Sequence, residues 1–298
     1  MNIESPGSAS PSRSGWKATL AFFGFSVVLL LVINVLAGLA ACVLLLLEGN
    51  QIVLEVVTQR MARPDILGTF SALQGVGLVG CAWLVLRMWS YPVAAGFAFR
   101  RANLAAWCAA LGVGASIGFF SGWASQELTG LFPGLDTGHF DLIRSLLLDG
   151  PLLPRLPMFL AVVVVAPLAE EWVFRGALWT FLEDSFGPVG ALLGTTILFS
   201  AYHLDPLHIV GILPTALFLG ALRGLSGSVW PGVVAHGINN ALGVSAIAFL
   251  SEEALTSTVQ AGGALLVSGA ALVVCLRWGR SERSAELRGE INQSGRVP

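Results

Sequence analysis

Four polar residues lie where an apolar chain has little reason to carry them: Glu170, His203, His236 and Asn240. The stretch Pro167-Leu-Ala-Glu-Glu-Trp-Val-Phe-Arg-Gly176 brings two carboxylates and an arginine into one hydrophobic run. Phe199-Ser-Ala-Tyr-His203 closes a second run on an imidazole, and His236-Gly-Ile-Asn-Asn240 combines an imidazole with amides. Ionisable groups in membrane-embedded helices are costly and mark function by default. These types together supply water-mediated amide hydrolysis. A carboxylate serves as base and then as acid, and an imidazole shares the water. A second imidazole and an amide donate to the developing oxyanion. The cysteines fall outside these stretches, so a covalent route has little support. The chain lacks a His-Glu-x-x-His helix. The remaining metal option is a three-ligand site of Glu170, His203 and His236 holding a divalent ion such as zinc. The metal-free reading is favoured, without a cofactor, because an Asn beside His236 suits an oxyanion better.

Helical spacing divides the work between the two glutamates. Glu171 and Arg175 are four apart, share a face and can pair as a structural ion pair. Glu170 lies about 100° around the helix and is the freer carboxylate. The Phe186-Gly187 turn sits about 16 residues after Glu170 and about 16 before His203. At 1.5 Å per residue both lie roughly 24 Å from that turn, so an antiparallel hairpin would bring them to one level. His236 and Asn240, four apart, share one face of a third helix. Asn239 is turned away and is expected to bond another helix. His208, after Pro206, reads as a solvated turn residue, and His139 with Asp136 and Asp141 as an ordinary loop.

The elements that position these groups follow from composition. Hydrophobic residues make up 55% and charged residues 11% of 298, against roughly 25% charged in soluble domains. The expected fold is all-α, a polytopic transmembrane bundle of about eight spans, each judged against the roughly 20 residues needed to cross a bilayer. They run near 18–47, 66–86, 102–126, 156–181, 188–203, 207–222, 230–250 and 261–276. The organisation is a polar disordered tail (1–15), N-terminal helices with an outer loop (16–150), a catalytic helix core (151–255), and a last helix with a basic tail (256–298). Leu39-Ala-Ala-Cys42 resembles a lipoprotein processing box, but the apolar run continues through Leu47, which favours a retained anchor. Cys42, Cys81, Cys108 and Cys275 show no CxxC spacing and are expected to pack as apolar residues.

Placing both termini in the cytoplasm puts eleven Lys and Arg residues inside and four outside (Arg60, Arg63, Arg144 and Arg155). This implies an even number of spans in a bacterial-type cytoplasmic membrane. The net charge of −2 leaves no basic face for nucleic acid. The expected partners are the bilayer and a peptide or membrane-anchored protein.

Glu170-Glu171…Arg175-Gly176, Phe199…His203 and His236…Asn240, in this order, resemble the motifs of the CPBP family of intramembrane proteases, also called type II CAAX endopeptidases or the Abi family. The resemblance covers about 156–250. It implies that Glu170 activates water, His203 assists, and His236 with Asn240 stabilises the oxyanion. It also implies prenylated carboxy-terminal substrates for some members, and bacteriocin processing or self-immunity for others. Two other functions compete with proteolysis. A proton-coupled transporter would use Glu170, His203 and His236 as a relay, but would show an internal repeat that this chain lacks. A non-catalytic scaffold or immunity protein of the same fold would tolerate loss of Glu170.

Overall fold

The computed structural model describes residues 15–49, 51–132, 134, 144–249 and 258–294. The N-terminal tail and the loop carrying His139, Asp136 and Asp141 lie outside the described residues, as does Leu250.

Among the described residues the chain is helical, without strands. The helices are α1 (Gly15–Leu47), α2 (Leu54–Met61), α3 (Pro64–Met88), the single turn α4 (Val93–Gly96) and α5 (Leu104–Leu131). A continuous run, Leu152–Tyr202, follows. It comprises α6 (Leu152–Leu160), a wide π-helical stretch Ala161–Val165, α7 (Ala166–Glu170), a second wide stretch Glu171–Leu178, and α8 (Trp179–Tyr202). The chain ends with α9 (Pro206–Ser226), α10 (Trp230–Phe249) and α11 (Thr258–Ser294).

Among the described residues, six helical runs are long and apolar enough to cross a membrane by length and composition: Gly15–Leu47, Pro64–Met88, Leu104–Leu131, Leu152–Tyr202, Pro206–Ser226 and Thr258–Arg277. The protein is therefore a multi-pass integral membrane bundle. By this measure the count stands at six where about eight spans are expected. Two of the expected spans, 156–181 and 188–203, fall within the single 51-residue run. α10 adds a further 20-residue helix, Trp230–Phe249, that carries His236, Asn239 and Asn240.

Gly187 folds that long run back on itself. Its φ of +70° with ψ of 179° is open to a residue without Cβ, and Pro188 restarts the helix with its preset φ. The arms then pack antiparallel: Phe174 meets Phe199 edge-on at 5.3 Å between ring centroids, and Leu182 packs near Ala191. At the far end a tight corner joins α8 to α9. Leu204 adopts a left-handed φ of +59° there, and the Asp205 side chain caps α9 by accepting from His208 N at 2.7 Å.

The two arms of this hairpin contact different neighbours. α3 packs along α6 and the wide stretches, and α1 packs on α3 and α8. α5 contacts α9, α10 and α11. Hydroxyl pairs tie these helices across the bundle, Ser121 with Thr215 at 2.8 Å and Ser116 with Ser268 at 2.7 Å.

Candidate active site

The wide turns around Glu170 begin with Pro167. Proline brings no N–H to the ladder, and its ring crowds the carbonyl one turn back. The helix loosens into a wider turn over Ala161–Val165, and such turns recur at functional sites. Side chains from other helices serve the carbonyls of the wide stretches. The Asn240 amide donates Nδ2–H to Val162 O at 2.9 Å. Arg223 donates Nε–H to Arg175 O at 2.9 Å. A backbone defect on one helix is thus answered by α9 and α10, which fixes their register against Glu170.

Glu171 and Arg175 form the dry foundation. Arg175 Nη1 donates to Glu171 Oε1 at 3.0 Å, and both side chains are fully buried. The guanidinium also donates from Nη2 to Ala216 O at 3.0 Å and lies 4.2 Å from the centroid of the Phe199 ring. Gly232 on α10 makes space for the carboxylate: a Cβ there would stand 2.7 Å from Glu171 Oε2. A buried pair of this kind does little for net stability, but losing one member strands a charge.

His236 bridges that foundation to Glu170. Its Nδ1 lies 3.2 Å from Glu171 Oε1, and its Nε2 lies 3.7 Å from Glu170 Oε2. The glutamates differ in access, Glu170 being 17% exposed and Glu171 0%. His203 stands at the end of α8, with Nδ1 3.0 Å from Phe199 O. A carbonyl can only accept, so Nδ1 carries the hydrogen and, in the neutral ring, Nε2 keeps its lone pair. Phe199 is the hub between the imidazoles, its ring 5.1 Å from His203 and 5.7 Å from His236.

Glu170, Glu171, Arg175, His236 and Asn240 therefore converge from the long run and α10, and His203 joins them through Phe199. Among the described residues no group of three or more His, Cys, Asp or Glu side chains is placed to hold a metal ion. The trio Glu170, His203 and His236 does not fit a three-ligand centre as arranged.

Two residues differ from their sequence reading. His208 is no solvated turn residue: it is half-buried, its ring lies 4.5 Å from that of His203, and it lines a cleft. Its spacing of five from His203 suggests different faces of a continuous helix; the corner at Leu204 brings the rings together. Asn239 does not bond another helix. Its Nδ2 reaches Asn240 Oδ1 at 3.5 Å, at the limit of a hydrogen bond, and its Oδ1 is buried without a hydrogen-bond partner.

Fold and site together define a helical membrane protein with a glutamate–histidine centre seated on a buried ion pair. Residues 152–242 match the family model described as Type II CAAX prenyl endopeptidase Rce1-like. The match covers less than half of the chain and contains every residue of the site. No curated protein and no solved structure matches the chain.

Proposed function

We propose that the protein is an intramembrane endopeptidase that hydrolyses a peptide bond in a membrane-associated peptide or protein through glutamate-activated water. One observation carries this reading. A partly accessible carboxylate, Glu170, faces an imidazole, His236, whose other nitrogen meets a fully buried ion pair. A purely structural carboxylate would sit as Glu171 does, sealed and paired.

In this mechanism Glu170 takes a proton from water, and the hydroxide formed attacks the scissile carbonyl carbon. His203 accepts a hydrogen bond from that water at Nε2, because Nδ1–H is engaged by Phe199 O. The oxyanion receives the second Nδ2–H of Asn240, the first being held by Val162 O. His236, held at Nδ1 by Glu171, turns Nε2 toward the same oxyanion. Glu170 then returns its proton to the leaving amine as the C–N bond breaks. The 3.7 Å gap between His236 Nε2 and Glu170 exceeds a hydrogen bond and leaves Nε2 to the substrate. Prenylated peptides are the substrate class named by the family's description. The distribution of Lys and Arg favours a cytoplasmic side for both termini.

The test compares wild type with Glu170→Gln at equal abundance, reading membrane-protein termini by mass spectrometry. Specific new termini present in wild type and absent from the variant are expected. Identical termini in both would overturn the hydrolytic reading.

A further inference from the structure

A cleft of about 290 Å³ opens where the catalytic residues end, between α5, α9 and α10. Two links lead into it. His208, tilted against His203, forms part of its wall, as does Asn240, one helical turn beyond His236. α5 contributes Gly114, Gly118 and Gly122, which keep that wall shallow, and α9 contributes Gly211.

The lining decides what can occupy it. Ser121, Ser125 and Thr215 bring hydroxyls, His208 an imidazole, and Asn239 and Asn240 amides. The Asn239 oxygen, buried without a hydrogen-bond partner, sits directly over Gly118, where a Cβ would stand 2.6 Å from it. The Ser121, Ser125 and Thr215 hydroxyls already bond within the protein, so a lipid chain in this cleft would leave the Asn239 oxygen unmet, at about 1–3 kcal/mol. An extended peptide brings an N–H and a C=O at every residue.

We infer that this cleft is the subsite for the peptide segment beside the scissile bond, selecting small or polar side chains, with Asn239 accepting a substrate backbone N–H. It rests on the endopeptidase reading and deepens it: any lipid group on the substrate stays outside the cleft, in the bilayer. Phe119 and Ile212 set its apolar limits.

The test reads binding apart from turnover. Ser125→Cys is introduced into full-length Glu170→Gln protein whose four cysteines, Cys42, Cys81, Cys108 and Cys275, are replaced by Ala. Maleimide labelling is followed in lipid nanodiscs, with and without an Ala/Ser/Gly pentapeptide amide or farnesol. The peptide should slow labelling at least tenfold and farnesol less than twofold. Asn239→Leu should abolish the protection, and Gly118→Ala should weaken it by displacing the amide, so that two independent variants report should one fail to fold. Protection by farnesol alone, or by neither probe, would overturn the subsite. The termini comparison stands apart from this result, so hydrolysis can survive the loss of the subsite, and the subsite the loss of hydrolysis.

Discussion

α1 and the hairpin Leu152–Tyr202 are both apolar enough to span a bilayer, yet they are built for opposite purposes. α1 turns Leu20, Val28, Leu31 and Val35 outward and meets the bundle through small or single large residues such as Ala18, Phe22 and Ala41. The hairpin holds Glu171, Arg175, Phe181 and Phe199 fully buried. Hydropathy alone treats the two segments alike. What separates them is where the polar atoms can be satisfied. In α1 the helix serves its own backbone, whereas the wide turns of the hairpin require α9 and α10 to complete their hydrogen bonding. A segment that needs its neighbours fixes their positions, and a catalytic centre needs fixed positions.

The contrast breaks most completely at Glu170. Glu170→Gln should lower turnover by about 10²–10⁴-fold, the range for general acid–base groups, with the melting temperature in detergent unchanged. A variant retaining wild-type turnover would reduce the hairpin to a packing element. At the dry foundation, Arg175→Met should cost about 3–5 kcal/mol by stranding the Glu171 charge. Adding Glu171→Gln should recover part of that loss; thermal unfolding of single and double variants reads the difference, and an additive double would contradict the pairing.

Asn240→Ala should reduce kcat by about 10²–10³-fold, as removal of an oxyanion donor does, with a smaller change in KM. An effect confined to KM would move Asn240 from the oxyanion to substrate binding. The backbone argument is sharpened by Pro167→Ala, which restores the N–H whose absence Asn240 answers. Measured in a double-mutant cycle, Pro167→Ala and Asn240→Ala should show a stability coupling of about 0.5–3 kcal/mol; zero coupling would separate the proline from the Asn240 contact. At the quiet end of the comparison, Leu31→Ala on the outward face of α1 should change stability by less than about 0.5 kcal/mol. A larger loss, measured by the same melting, would show that this face is covered.

Composition and spacing by themselves determined the solvent, the all-α class and the chemical inventory. Sparse charge forces a lipid-facing exterior, and the few ionisable groups that remain stand out against it. The four-residue spacing of Glu171 and Arg175 puts them on one face by helical geometry alone, and Gly187 marks the fold-back because a glycine before a proline punctuates a helix. Tertiary structure decided the rest. His208 reads as a turn residue until the Leu204 corner brings its ring against His203, since a left-handed residue breaks the helical spacing on which face assignments depend. Asn239 reads as interhelical glue until Gly118 is seen to receive it. The bond from Asn240 to Val162 exists because a proline five residues beyond Val162 loosened a helix turn, and an amide from a distant segment came close enough to answer it. Periodicity reports which residues share a face; only packing reports what that face meets.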